Sequence, residues 1–363
     1  MSMDFAMFYE IPVPKPWGPS SEHDAYRNTI EQAVHGEQAG FHSFWTVEHH
    51  FLDEYSHCSA PDALYGAIAA KTSTMRIGHG VRLLPKPYNH PVRAAEAAAV
   101  VDLVSDGRLE FGTGRSSTRA ELEGFGVDPD LTREQWEEGL RMVVKAWTED
   151  VFEWDGPTWQ VPPRNVHPKP IQQPHPPLWC ATSSQPSHVI AGELGLGLLS
   201  FTIGVPPEEL AERIGVYRDA QMRMTPVGKV ANTTAATFTM VHCADTTEQA
   251  FEEARESFEW YVRTALWHIG TVAEWREGKP LGTYDYAEML KDLDLTLLTF
   301  DYLVESGACV VGDPQRCLEI ATRYDAADCD LLLCLLNPYK IPHASVMRSI
   351  ELLGEHVVPA LKG

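Results

Sequence analysis

Positive charge is scarce in this chain. Its 29 lysines and arginines face 51 aspartates and glutamates, a formal net charge of −22. Nucleic acid and anionic membrane surfaces repel such a protein, so neither is expected as a partner. No apolar run approaches the ~18 residues that a membrane span needs. No basic-then-apolar leader opens the sequence, and a cytoplasmic protein is expected. Cysteine is sparse and unpatterned: the seven form no CxxC pair, and several sit in apolar runs such as CDLLLCLL at 329–336. They read as reduced core thiols. Histidine spacing suited to a metal is also missing. His42, His49, His50 and His57 form no tight ligand set, and no HxH pair stands on an early strand. No metal is expected.

What the chain does have is apolar content, 44% of 363 residues, in a repeating order. Short apolar runs alternate with amphipathic stretches: DFAMFYE, then a helix over 23–40; HSFWTVE, then SAPDALYGAIAAKTS with Ser59 as N-cap and Pro61 in the first turn; MRIGHGVRLLP, then a helix over 92–105. RLEFGTG, LWCATS, GLLSF, TTAATFTMVHCA and CDLLLCLL continue the strands. Eight strand–helix units imply a parallel sheet closed into a (β/α)8 TIM barrel, one domain over 1–363. Two stretches break the rhythm. Residues 153–177 are rich in Pro and Trp and read as a hairpin and crossing after the fourth unit. Residues 247–306 read as a long helical region after the seventh strand, with an insertion over about 270–306. Its part 270–290 is rich in glycine and reads as a lid.

In such barrels chemistry sits on the loops after the strands. WTVEHHF (45–51) places Glu48, His49 and His50 there. Neighbours on a strand point to opposite faces, so one histidine is expected at the barrel mouth as an acid–base or hydrogen-bonding group. Glu48 would hold the strand end or the second ring. Arg115-Ser116-Ser117-Thr118 follow the fourth strand, Thr182-Ser183-Ser184 the fifth, and Ser200 the sixth. Hydroxyls at a helix N-terminus beside an arginine suit a phosphate, although Ser184 is equally suited to capping that helix. Trp17, Tyr88, Trp267, Trp275 and Tyr284 are aromatic candidates for a pocket or lid.

Four stretches, in order and each at its strand, resemble the bacterial luciferase-like family of flavin-dependent monooxygenases: GFHSFWTVEHHF (40–51), RIGHGVRLLPKPYNHPVRAAEAAAVVDLVSDGRLEFGTGRS (76–116), PPLWCATSSQPSHVIAGELGLGLLS (176–200) and VVGDPQRCLEIATRY (310–324). The resemblance implies reduced FMN delivered by a separate flavin reductase, and dioxygen forming a flavin hydroperoxide that oxygenates a small apolar organic substrate. Residue by residue, it implies His49 at the oxygen chemistry with Glu48 beside the flavin, and Gly80–Val81, joined by a cis peptide, against the flavin ring. It further implies Arg115 and Arg133 at the phosphate, Thr182, Ser183 and Ser184 at the ribityl-phosphate, and Ser200 and Phe201 at the flavin edge. Glu121 matches an acidic residue beyond the fourth strand. Gly114 stands where the luciferase subunit has a reactive cysteine, which argues against light emission. A homodimer through helices 60–73 and 92–105, with His90 meeting Glu96 across the interface, is implied too. A deazaflavin-dependent oxidoreductase and a non-catalytic flavin-binding protein are the alternatives.

Overall fold

The structure is a computed structural model, and it describes residues 2–362. Eight parallel strands close on themselves: β1 (Asp4–Tyr9), β2 (Ser43–Thr46), β3 (Arg76–His79), β4 (Leu109–Gly114), β5 (Leu178–Thr182), β6 (Gly197–Ser200), β7 (Ala235–Cys243) and β8 (Leu331–Leu335). β8 pairs with β1, Asp4 against Leu331 through Phe8 against Leu335, so no edge is left open. Strands walled by helices on one side and by the barrel interior on the other are apolar on both faces. DFAMFY and LLLCL are accordingly buried almost without interruption.

The barrel helices are α1 (Ser21–Gln38), α2 (Pro61–Ala69), α3 (Pro91–Val104), α4 (Thr132–Thr148), α5 (Gln185–Glu193), α6 (Pro207–Gln221), α7 (Thr247–Trp275), α8 (Pro314–Ala326) and α9 (His343–Leu352). Proline occupies the first turn of α2, α3, α5, α6 and α8, where its missing N–H costs nothing. Ser59 is not the cap of α2. That helix begins at Pro61, its cap position is Ala60, and no side chain bonds the free N–H groups. The expected hairpin is present, Phe152–Asp155 antiparallel to Gln160–Arg164.

The third strand ends at His79 and the Gly80–Val81 peptide is cis, as expected; Arg82–Leu83 then resumes pairing with β4. One helix expectation needs correction. The helical region after β7 is a single helix only as far as Trp275. Residues 276–299 form two 3-10 turns and a short helix, Tyr286–Lys291, held by Arg276 on Asp130 and by buried Tyr284 and Ala287. The glycines and proline over 278–282 cannot extend a helix at the rate its amphipathic first part suggests.

All seven cysteines are buried free thiols. Among the described residues no helix is long and apolar enough to cross a membrane. α3 is apolar around its circumference: Ala94, Ala95, Ala98, Ala99 and Val101 are buried, while Val100, Leu103 and Val104 are exposed.

Candidate active site

At the C-terminal ends of the strands lies a cleft with a cavity volume of about 170 Å³. Its floor is apolar, made by Phe8, Leu199, Phe238 and Leu333. One wall is backbone, Gly80–Val81 against Gly114. A Cβ on Gly114 would sit 2.5 Å from Val81 Cγ2, so the close approach of these two residues requires glycine at 114.

Opposite charge is gathered on the β2 side. His49 lines the cleft; its Nδ1 is 3.0 Å from Glu121 Oε1, and its Nε2 is 3.6 Å from Glu10 Oε2. Burial opposes charging this ring, but the Glu121 carboxylate, then Glu10 and Glu48, outweigh it and raise the histidine to about 9. His49 is therefore an imidazolium at neutral pH. Glu121 is completely buried and held by four donors: His49 Nδ1, the His50 amide at 3.1 Å, Ser116 Oγ at 2.8 Å and Thr118 Oγ1 at 2.7 Å. Burial raises its pKa, yet the His49 charge and these donors bring it below the ordinary carboxylate value. Its short helix, Arg119–Gly124, is capped by Thr118, whose hydroxyl accepts from the Glu121 N–H at 3.3 Å.

His50 turns away from the cleft, with Nε2 3.6 Å from Glu48 and its ring edge-on to Phe125. Glu48 lines the cleft but its oxygens are engaged: Leu83 N–H at 3.1 Å, Asn89 Nδ2 at 2.9 Å and Arg82 at 3.4 Å. It braces the chain where β3 breaks. Burial raises its pKa, but Arg82 and these donors keep the carboxyl below its usual value. Arg82 is buried between Glu48 and Asp62.

The far end of the cleft is cationic. Arg115 donates to Thr132 Oγ1 at 3.2 Å and Thr283 Oγ1 at 2.6 Å, and lies over the Tyr284 ring. Arg133, the second residue of α4, does not itself line the cleft; Trp136 locks that helix to β4 by donating to Thr113 Oγ1 at 3.0 Å. Burial and then the neighbouring Arg115 charge lower the Arg133 pKa. Among the described residues no carboxylate pairs with either guanidinium. Thr182 and Ser183 line the same cleft, and Thr182 Oγ1 is buried without a hydrogen-bond partner. Ser184 does not line it. That serine caps α5, in reciprocal contact with Ser187. Ser200 and Phe201 line the cleft, the serine hydroxyl 3.0 Å from His188 Nε2.

Of the aromatic candidates, none of Trp17, Tyr88, Trp267, Trp275 and Tyr284 lines the cleft; Phe8, Tyr55, Phe201, Phe238 and Tyr286 do. Glu10, Tyr55 and His268 were missed by sequence reasoning. Glu10 has the alternation of Phe8 two residues earlier, which is a signal. His268 lies deep in a helix and carries none.

The family model described as luciferase-like monooxygenase matches residues 3–327, and the chain belongs to this family of oxidoreductases. The oxygenase component of a flavin-dependent trigonelline monooxygenase from Acinetobacter baylyi is 29% identical over 202 residues, 55% of each chain. The solved oxygenating constituent of 3,6-diketocamphane monooxygenase from Pseudomonas putida, in complex with FMN, has a TM-score of 0.75 at 20% identity over 99% of both chains. An F420-dependent secondary alcohol dehydrogenase has a TM-score of 0.73 at 19% identity over the whole of both. Similarity at that identity shows the barrel and nothing more.

Proposed function

We propose that this chain is the oxygenase of a two-component system, using reduced FMN from a separate reductase and dioxygen to oxygenate a small, largely apolar molecule. The observation that carries the reading is the Arg115–Arg133 pair. The two guanidinium charges are near enough to interact and neither is in an ion pair among the described residues, so they repel each other and a dianionic phosphate relieves that repulsion. The other features fit the same ligand. The orphaned Thr182 hydroxyl and Ser183 line the cleft and are offered for the ribityl chain, with Gly80, Val81 and Gly114 as the lining against the flavin ring. The name of the Acinetobacter relative, an oxygenase component, supports a separate reductase.

Bound reduced flavin supplies the electrons and the activation of dioxygen. The chain's own part is placement. Arg115 and Arg133 hold the phosphate, and Thr283 links Arg115 to the segment after α7, so that segment closes over an occupied site. Phe8, Phe201, Phe238 and Leu199 keep water from the floor. Glu121 fixes the His49 ring through Nδ1 and leaves the Nε2 proton directed at the cleft. There it can be donated to a developing negative oxygen.

The deazaflavin alternative shares the barrel. Anaerobic titration separates them: saturable binding of reduced FMN, followed by dioxygen uptake on mixing with air, is the expected outcome. Tight binding of a deazaflavin with no binding of reduced FMN would overturn the proposal.

A further inference from the structure

Glu10 is the one acid lining the cleft with an unsatisfied oxygen. Its Oε1 accepts from Tyr55 Oη at 3.2 Å and Tyr261 Oη at 2.9 Å. Its Oε2 is buried and has no hydrogen-bond partner among the described residues, and the residue is only 3% exposed. Other groups near it are His49 and Glu121, and His268 on α7, whose ring meets Tyr55 edge-on.

The simplest account is that Glu10 is a counter-ion for His49. Glu10 does contribute to the His49 charge, but that role leaves its oxygen without a hydrogen bond. The imidazolium already has a carboxylate at 3.0 Å in Glu121, and at 3.6 Å from Nε2 the Glu10 oxygen makes no hydrogen bond. A buried acceptor left unmade is costly, and native sites keep one where a ligand completes it. That ligand must bring a donor. A cationic amine is disfavoured by the His49 charge beside it, which leaves a neutral donor, an O–H or an N–H. The surroundings limit the rest of the molecule: Phe8, Phe201, Phe238, Leu199 and Leu333 are apolar, and the Ser200 and Thr237 hydroxyls among them are already engaged with His188 and the Ser200 carbonyl.

We propose that the substrate is an apolar ring or chain bearing one neutral O–H or N–H donor, and that Glu10 reads this group by accepting its hydrogen at Oε2. The two tyrosines are positioning residues. By donating to Oε1 they leave Oε2 as the carboxylate's uncommitted acceptor, and burial holds both well above the ordinary tyrosine pKa, so they remain donors. Burial also raises Glu10 itself, against the His49 charge and the tyrosine hydrogen bonds, which makes its carboxylate a stronger acceptor than an exposed one. The His49 Nε2 proton stays free for the reacting oxygen. This assignment rests on the monooxygenase reading only in calling the bound molecule a substrate.

The test is calorimetric binding of 2-naphthol and of 2-methoxynaphthalene, which keeps the rings and the oxygen but not the O–H. Both are titrated with saturating oxidised FMN present and again without it. The expected result is at least tenfold tighter binding of 2-naphthol to the wild-type protein, falling below threefold in Glu10→Gln. Equal affinities in the wild-type protein overturn the proposal, as does an undiminished preference in Glu10→Gln. Should circular dichroism show that variant unfolded, Glu10→Asp, which withdraws the oxygens by one methylene, serves with the same two outcomes. FMN affinity is measured on the same samples. A hydroxyl preference without FMN binding removes the cofactor reading alone, and FMN binding without the preference removes this one alone.

Discussion

Replacing Glu121 by Gln removes the charge that most strongly favours the His49 imidazolium. At about 4 Å between charge centres and an effective dielectric near 20, that interaction is worth roughly 4 kcal/mol, or about 3 pKa units as an upper bound. Glu10 and Glu48 remain nearby, so a fall of about 2 units from the starting value of about 9 is the expected minimum. Burial, the largest opposing influence, then brings His49 back close to the ordinary histidine value. The assay is an NMR titration of ring-labelled histidine, with the His49 signal assigned by its loss in His49→Gln. A midpoint still near 9 in Glu121→Gln would refute the reasoning. Stability reports the same linkage. The folded pKa is raised above the unfolded 6.5, so the contribution is complete below pH 6.5 and lost as pH rises through about 9. It amounts to about 3 kcal/mol, and that pH dependence should be largely absent from Glu121→Gln.

Other outcomes follow from other parts of the molecule. Arg115→Ala should weaken FMN binding by about 1.5–3 kcal/mol in a fluorescence titration, the range for a hydrogen bond to a charged group; unchanged affinity would remove this arginine from the phosphate site. Gly112→Ala would put a Cβ 2.0 Å from the His79 carbonyl oxygen, a contact with backbone that cannot turn aside. It should destabilise by at least 1–3 kcal/mol in urea unfolding, and wild-type stability would contradict the strand packing. Limited proteolysis should cut first within 276–299, with FMN protecting the segment through the Arg115–Thr283 contact; cleavage elsewhere, indifferent to FMN, would count against a lid. The exposed Val100, Leu103 and Val104 on an alanine-rich α3 call for a covering partner. Light scattering should give twice the 40.5 kDa chain mass, and a monomer at micromolar concentration would exclude the dimer.

The chain order of strands and helices, the barrel and the positions of the rim residues were all legible in the sequence. The reason is local: a strand buried on both faces is apolar along its length, an amphipathic helix has its own period, and proline and glycine mark the ends. EHHF after β2, RSST after β4 and TSS after β5 fall at the rim because the alternation puts every strand's C-terminal end on one side. Tertiary structure alone decided how those residues divide their work. Of two adjacent histidines, His49 faces the cleft because Glu121, 72 residues away in sequence, holds its Nδ1. Of three hydroxyl residues after β5, Ser184 caps the helix while Thr182 is left with a free oxygen. Glu10 becomes a buried, half-satisfied carboxylate only when Tyr261, 251 residues further along, arrives on α7. Burial and charge proximity are properties of distances in space, and no local pattern encodes them.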